Sequence, residues 1–205
     1  MIALIDYGSG NLRSVHNALL RVGAPVQIVR HGEQLAQAHA VVLPGVGAFD
    51  DCLHALRKQE LLEATRDFIR GGRPFLGICV GYQALFDRSE EFQSCALGLG
   101  IFKGPVVRFT PRPGLKIPQI GWNQLRIARP DCPLYQGIPD GSHVYFVHSF
   151  FPRPDDPSSV ASWTDYGGEF ASSVWKDNVF ATQFHPEKSQ AVGLALLRNF
   201  ARLAT

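Results

Sequence analysis

The sequence lacks any apolar run long enough to cross a membrane. Its most apolar stretches, such as Ala40 to Leu43, are far shorter than the roughly 20 residues of a membrane helix. The first residues contain no basic segment followed by a cleavable apolar run. Charge of one sign is also scarce, since 20 basic and 18 acidic residues among 205 give a formal net charge of +2. We therefore expect a cytoplasmic protein that binds neither membranes nor nucleic acid.

Cysteine is scarce as well, with four in the chain. That number is too small for a disulfide scaffold at this length, and the absence of a Cys-x-x-Cys pair argues against a zinc site. The segment Gly8 to Gly10 lacks the third glycine of a dinucleotide fingerprint, and no Walker A lysine motif occurs. We therefore expect no metal, no cofactor and four reduced thiols, which are Cys52, Cys79, Cys95 and Cys132.

Apolar, strand-like segments alternate with helical patterns over the first 90 residues. One helical stripe ends at Gly23, and a second runs from Asp51 to Arg70. This alternation predicts the α/β class, with a mostly parallel, doubly wound sheet flanked by helices. The expected strands are Ile2 to Ile5, Val26 to Val29, Ala40 to Leu43 and Phe75 to Ile78.

The second half of the chain is rich in β-forming residues separated by Pro, Gly, Asp and Asn. We expect these additional hairpin strands to extend the same domain, so that residues 1–205 form one domain that ends in a helix from about Ser189 to Leu203. Asp177-Asn178 is expected to form a tight hairpin turn, and Phe151 to Pro157 a surface loop. The expected strands are Gly104 to Phe109, Ile120 to Ile127, His143 to Phe150, Ser159 to Thr164, Ala171 to Trp175 and Val179 to Phe184.

A cysteine flanked by glycines directly follows one of the expected strands, in Gly77-Ile78-Cys79-Val80-Gly81. This spacing is typical of a nucleophile elbow, in which glycines permit a strained strand-to-helix turn. The start of the following helix would favour thiolate over thiol, and the Val80 N–H could donate to an oxyanion. A structural glycine-rich turn is the alternative interpretation.

One of the seven histidines stands out, because His185 precedes a proline and lies two residues before Glu187. Proline biases His185 towards extended backbone, where residues i and i+2 point the same way, so Glu187 can reach the imidazole and fix its tautomer. The segment also follows an apolar strand, and catalytic groups of open α/β sheets lie beyond the carboxyl ends of strands. The alternative is an exposed loop histidine beside an unrelated glutamate. Cys79, His185 and Glu187 are thus the candidate nucleophile, base and orienting group.

A third segment, Pro44-Gly45-Val46-Gly47, follows another expected strand. Its backbone N–H groups could point at a developing oxyanion, where one donor is worth about 3 to 4 kcal/mol. Flanking glycines would let the peptide of Val46 rotate between two states at low steric cost. An ordinary strand-to-helix loop is the alternative.

Together these motifs resemble the class I, triad-type glutamine amidotransferases over nearly the whole chain. Within that family the chain looks most like glutaminase subunits that pair with a (β/α)8-barrel cyclase. Five strings in the same order make the likeness highly specific. They are Asp6 to Asn11, Pro44 to Phe49, Pro118 to Asn123, Tyr145 to Ser149 and Phe184 to Ser189.

The resemblance implies that Cys79 attacks the carboxamide of glutamine and forms a thioester, while His185 moves protons and Glu187 holds the imidazole. Glutamate and ammonia would result, and the ammonia would pass to the cyclase subunit of a heterodimer in histidine biosynthesis. The implied oxyanion donors are the N–H groups of Val80 and Val46. The implied glutamine site comprises Gly47, Gln83, His148, Ser149 and Phe150. The implied partner surface comprises Asn11, Trp122, Asn123, Tyr145 and Lys188.

Three other functions remain open at this stage. The chain could be a glutaminase subunit of another pathway, a cysteine hydrolase of the same fold acting on esters or thioesters, or a catalytically silent binding module. The segment Ile120 to Asn123 argues against the first. The intact set of Cys79, His185 and Glu187 argues against the last.

Overall fold

The computed structural model describes residues 1–8 and 11–204, apart from the side chain of Gln93. Two residues of the Asp6 to Asn11 string, Ser9 and Gly10, therefore lie outside the described residues. The helices are α1 (Leu12–Arg21), α2 (Phe49–Lys58), α3 (Leu61–Arg70), α4 (Val80–Gln83) and α5 (Gln190–Arg202). Short 3₁₀ helices span Gly32–Gln37, Glu91–Gln93, Pro133–Tyr135, Pro157–Ser159 and Pro186–Lys188.

Strands make up most of the remaining regular structure, and eight of them form a central sheet in the described part of the chain. They are β1 (Ile2–Ile5), β2 (Val26–Val29), β3 (Ala40–Leu43), β4 (Phe75–Ile78), β5 (Arg88–Ser89), β6 (Pro105–Arg108), β7 (Gln119–Gln124), β8 (Arg126–Ile127), β9 (His143–His148), β10 (Phe150–Pro152), β11 (Val160–Asp165), β12 (Glu169–Lys176) and β13 (Val179–Thr182).

The central sheet has the order β2-β1-β3-β4-β13-β12-β11-β8. Pairing is parallel from β2 through β13 and antiparallel from β13 to β8. Strands β1, β3, β4 and β13 are buried at every position. Such burial on both faces is typical of parallel strands covered by helices, and it explains their uninterrupted apolar sequence.

The helices cover both faces of this sheet. The step from β1 through α1 to β2 runs towards one edge, whereas the step from β3 through α2 and α3 to β4 runs towards the other. Right-handed crossovers in opposite directions place their helices on opposite faces. Accordingly α1 contacts α5, and α2 contacts α3. The predicted doubly wound α/β fold with additional C-terminal strands is confirmed.

Two smaller sheets lie beside the antiparallel strands of the central sheet. Strands β10, β6 and β5 form a three-stranded sheet, and β7 pairs with β9. The predicted turn at Asp177-Asn178 joins the antiparallel strands β12 and β13, with Asp177 at φ 51°. The expectation of a loop over Phe151 to Pro157 is wrong at its start, because Phe151 and Pro152 pair with Val107 and Val106 as part of β10.

The helix expected from Asp51 to Arg70 is two helices. The chain breaks at Glu60, which adopts the left-handed conformation with φ 59° between α2 and α3. The break is not predicted by helix propensity, because the residues around it are all good helix formers, Arg57-Lys58-Gln59-Glu60.

The apolar segment Ala84 to Phe86 favours a helical turn that would continue the helix after Cys79, but α4 ends at Gln83. The carbonyl of Ala84 accepts a hydrogen bond from the Leu99 N–H at 2.7 Å, and that of Leu85 accepts from Ile101 at 2.9 Å. These carbonyls are therefore committed to a later segment of the chain and are not available to continue a helix.

Candidate active site

The candidate catalytic segments follow three neighbouring parallel strands. The loop from Pro44 follows β3, Cys79 follows β4, and the segment from Gln183 follows β13. In the register of β4 and β13, Thr182 lies beside Ile78, and the Cys79 N–H donates to the Thr182 carbonyl at 2.8 Å. The carboxyl ends of parallel strands meet at one edge of a sheet, so all three segments converge there.

The backbone at Cys79 makes the strained turn that the glycine spacing predicts. Its φ of 55° and ψ of −108° lie outside the regions that non-glycine residues ordinarily occupy. A Cβ added at Gly77 would lie 2.6 Å from the Gly81 carbonyl oxygen, and one added at Gly81 would lie 2.0 Å from that of Leu43. Only glycine fits at these two positions, which allows the turn to present Cys79 at the edge of the sheet.

His185 and Glu187 form a buried pair. Nδ1 of His185 lies 2.7 Å from Oε1 of Glu187, and the two side chains are 1% and 0% exposed. Asn11 Nδ2 donates a hydrogen bond to the same carboxylate oxygen. The carboxylate therefore accepts from Nδ1–H, which leaves Nε2 of the imidazole free for proton transfer.

The imidazole of His185 is electrostatically coupled to Cys79. Burial alone would lower the pKa of His185, but its interactions with the charge of a Cys79 thiolate and with the carboxylate of Glu187 together raise that pKa to about 10. Within the described residues, Nε2 makes no well-aligned hydrogen bond. Loose alignment of this kind is common in catalytic groups before substrate binds. The electrostatics therefore favour an imidazolium at His185 beside the sulfur of Cys79.

Neither of the predicted oxyanion donors is available in this conformation. The Val80 N–H donates to the Gly45 carbonyl, at 3.4 Å. The Gly45–Val46 peptide is trans, so its N–H points away from the side on which its carbonyl oxygen lies. Gly47 follows with φ +96°, a conformation suited to glycine. This peptide therefore turns its oxygen towards Val80, with the Val46 N–H on the far side.

A cavity of about 740 Å³ opens above Cys79. Gln83 donates from Nε2 to the carbonyl of Phe150 at 3.0 Å, and the His148 Nδ1 lies 2.8 Å from that same oxygen. Burial lowers the pKa of His148 to about 3, so this imidazole is neutral. The sequence-predicted residues that the cavity brings together are Val46, Gly47, Cys79, Val80, Gln83, His148, Ser149, Phe150, His185 and Lys188.

Charged residues that the sequence analysis did not single out also line this cavity. Glu91 accepts a hydrogen bond from the Phe49 N–H at 2.9 Å, and burial raises its pKa. Glu90 stands beside it, and Arg108 lies opposite Phe150 in the register of β6 and β10. The sequence signal was weak, since an adjacent glutamate pair is common and the position of Arg108 depends on strand pairing. Carboxylates and a guanidinium in one cavity match the ammonium and carboxylate of an amino acid.

The residues assigned to a partner surface lie in two places. Trp122 is 46% exposed and its ring meets that of Tyr145 edge-on at 5.9 Å, with the Lys188 ammonium 6.0 Å above the Tyr145 ring. Asn123 is half-buried and donates to the Asp165 carbonyl at 2.8 Å. Asn11, in contrast, contacts Glu187. Sequence reasoning missed that contact because 176 positions separate the two residues.

Neither a metal site nor a membrane helix occurs in the described part of the chain. No group of three or more His, Cys, Asp or Glu side chains there could hold a metal ion. No helix of residues 1–8 and 11–204 is long and apolar enough to span a membrane.

Comparisons with known proteins agree with this fold. The family model of class-I glutamine amidotransferases matches residues 3–203. A crystal structure of a glutamine amidotransferase superposes with a TM-score of 0.77 at 21% identity and covers 100% of this chain and 99% of its own. The PurLQS structure from Thermotoga maritima gives a TM-score of 0.76 at 21% identity, with 99% and 96% covered. The chain belongs to the class-I glutamine amidotransferase family.

Similarity to particular relatives is much higher. The imidazole glycerol phosphate synthase subunit HisH of Syntrophotalea carbinolica is 50% identical to this chain, with 98% of each covered. The subunit of the same name from Geobacter sulfurreducens is 49% identical, again with 98% of each covered.

Proposed function

We propose that this chain is the glutaminase subunit of imidazole glycerol phosphate synthase. The observation that carries the proposal is the electrostatic coupling of Cys79 to a buried His185–Glu187 pair beside a cavity lined by both carboxylates and a guanidinium. Relatives of that name match over nearly their full length at about half identity, which supports the assignment. Neither of these relatives carries the name of another pathway.

The reaction begins with attack of the Cys79 thiolate on the side-chain carbonyl carbon of glutamine. The carbonyl oxygen becomes an oxyanion, for which the N–H groups of Val80 and Val46 are the donors. The His185 imidazolium gives its proton to the amide nitrogen, the carbon–nitrogen bond breaks, and ammonia leaves a thioester on Cys79. Neutral His185 then takes a proton from water, whose oxygen attacks the thioester. Glutamate leaves and the thiolate–imidazolium pair returns.

For both oxyanion donors to face the substrate, the Gly45–Val46 peptide has to rotate. Rotation of the Gly45–Val46 peptide would remove the carbonyl oxygen from Val80 and turn the Val46 N–H towards the oxyanion. One rotation would thus free the first donor and supply the second. Glycines on both sides of Val46 lower the steric cost of this movement.

The partner that we propose is a (β/α)8-barrel cyclase, which would receive the ammonia without its release. That subunit would convert a phosphoribulosyl aminoimidazole carboxamide nucleotide into imidazole glycerol phosphate and an aminoimidazole carboxamide ribotide. The cyclase would contact this chain near the cavity, at Trp122, Asn123, Tyr145 and Lys188. Asn11 would hold the carboxylate of Glu187 by its hydrogen bond. A cytoplasmic location is part of the proposal, because Cys79 has to remain a free thiol.

Glutamate release by the pure chain, with and without the cyclase subunit and its nucleotide, tests this function. We expect a strong increase in turnover only when both are present, and none with Cys79→Ala. Full activity of the isolated chain would contradict gating by the partner. Hydrolysis of small esters in place of glutamine would instead favour a cysteine hydrolase.

A further inference from the structure

The side-chain amide of Gln183 lies against the nucleophile. Its Nε2 is 3.7 Å from Sγ of Cys79, and the residue is 0% exposed. Gln183 directly follows β13 and precedes His185 by two positions, but the reaction described above assigns it no step. Burying an amide is costly unless its polar atoms are hydrogen-bonded, so its placement beside the sulfur needs a cause.

A chain of hydrogen bonds determines which end of this amide faces the sulfur. The carbonyl oxygen of Phe150 can only accept, and Gln83 Nε2 donates to it at 3.0 Å. The same Nε2 donates its second hydrogen to Oε1 of Gln183 at 3.2 Å. Because Oε1 of Gln183 is committed as an acceptor, the NH2 group of Gln183 is the end that points at Cys79.

Other sources of stabilisation for a thiolate are weak on this side of the sulfur. Helix α4 is a single turn of four residues, so its dipole is small. The Val80 N–H at its start donates to the Gly45 carbonyl. The Gln183 amide and the His185 imidazole are therefore the groups positioned to stabilise negative charge on Cys79.

We propose that Gln183 is a further catalytic residue, which donates a hydrogen bond to the Cys79 thiolate and is held in that orientation by Gln83. This role rests on the proposed glutaminase function. An N–H donor stabilises a thiolate more than a thiol or a thioester, because the acceptor charge is greatest on the thiolate. The bond therefore favours the attacking form at the start of the cycle, and it stabilises the leaving thiolate when water cleaves the thioester.

Alkylation of Cys79 by iodoacetamide as a function of pH, measured on the full chain by mass spectrometry, tests the proposal. Gln183→Met keeps a similar side-chain volume and removes the donor. We expect the pH midpoint of Cys79 alkylation to rise by about one unit, which corresponds to about tenfold slower labelling below the midpoint. The exposed thiol of Cys95 serves as an internal reference whose labelling should not change.

Two points make this shift specific to Gln183. The titratable groups that line the cavity together with Cys79 stay in place in the variant, and these are His148, His185, Glu90, Glu91, Arg108 and Lys188. Ser172→Ala is the matched control, because Ser172 accepts the Gln183 N–H through its backbone carbonyl, which the variant keeps, and its hydroxyl pairs with Ser162. We expect the wild-type midpoint in that control.

A second variant covers the case in which Gln183→Met does not fold. Gln183→Glu keeps the size of the side chain and an acceptor for Gln83, but its carboxylate repels the thiolate, so the midpoint should also rise. An unchanged midpoint in either folded variant would overturn the proposal. In the partner complex we expect a lower kcat with KM within about twofold, and a rise in KM alone would overturn it too. A wild-type complex that releases no glutamate refutes the glutaminase function and leaves the alkylation result standing.

Discussion

Glu187 carries the negative charge that lies against the candidate base, His185. The carboxylate is buried, and it accepts hydrogen bonds from both His185 and Asn11 through one oxygen. Glu187→Gln removes the charge that helps to hold a proton on His185, so the pKa of His185 should fall. We expect a loss of about 100-fold or more in kcat for glutamine hydrolysis in the partner complex.

The exposed pair of Arg126 and Glu169 supplies the control for that experiment. Glu169→Gln removes a carboxylate of the same kind that is 55% exposed, and it should leave kcat unchanged. A Glu187→Gln enzyme that keeps kcat within threefold would show that the carboxylate does not orient the base.

Because His148 is buried as a neutral imidazole, we expect the free energy of unfolding to decrease in acid. Burial lowers the pKa of His148 to about 3 in the folded chain, whereas the ordinary histidine pKa is about 6.5. Between these values the unfolded chain binds a proton that the folded chain does not. The contribution of His148 to stability is therefore complete above about pH 6.5 and falls as the pH decreases, by up to about 1.4 kcal/mol per unit.

Urea unfolding at pH 7 and pH 5 measures this contribution. The free energy of unfolding should fall more between the two pH values for the wild type than for His148→Gln. His143→Gln, at the exposed end of the same strand, should behave like the wild type. Equal pH dependence in all three proteins would mean that His148 is protonated in the fold.

Residues of the site could be predicted where the signal is local. The glycines around Cys79 and the spacing of His185 and Glu187 are readable along the chain. The contact of Asn11 with Glu187, the position of Gln183 and the cavity charges could not be predicted, since they depend on segments far apart in sequence. For Gln183 that contact spans 104 positions, although the residue stands close to His185.

At the scale of elements, the elbow depends on how closely α4 packs on β3. Gly81→Ala would place a Cβ 2.0 Å from the Leu43 carbonyl oxygen, and backbone must move to relieve that clash. We expect loss of glutaminase activity together with a large fall in melting temperature. Activity assays and thermal unfolding of the same samples check this.

Gly72→Ala is a matched substitution without a clash. Gly72 has φ +76° and nothing within 4 Å of an added Cβ, so the cost is backbone strain alone, about 1 to 2 kcal/mol. Its activity should be preserved. Equal losses in both variants would mean that conformation at glycine, and not the approach of α4 to β3, controls the elbow.

Elements with a strong, uninterrupted pattern were predicted close to their true bounds. The fully buried strands β1, β3 and β4 match the expected segments, and α5 runs from Gln190 to Arg202. The break at Glu60 and the early end of α4 were missed because their causes are a left-handed residue among helix formers and carbonyls taken by a distant segment. Both are tertiary effects that local propensity does not report.

At the scale of the whole molecule, the exposed apolar side of β7 is the surface where we expect the partner. Ile120 is 63% exposed and Trp122 46% exposed, two residues apart on the same face. Aromatic residues at the centre of an interface often carry much of the binding energy. Trp122→Ala should weaken binding of the cyclase subunit by tenfold or more in a titration.

A second exposed hydrophobic residue provides the comparison. Leu97 is 68% exposed on the loop before β6, so Leu97→Ala removes a similar apolar surface elsewhere. Its affinity for the partner should equal that of the wild type. Comparable weakening by both variants would place the interface on a different face.

The position of β13 has a consequence for how the protein is made. This strand is the last in the sequence, but it lies in the middle of the central sheet, between β4 and β12. A nascent chain that has not yet emerged beyond Asn178 therefore carries two unfinished sheets, each with an open edge strand that can pair with another chain. The ribosome must deliver nearly the entire polypeptide before those edges close, and a prematurely stopped product would be both inert and prone to aggregate.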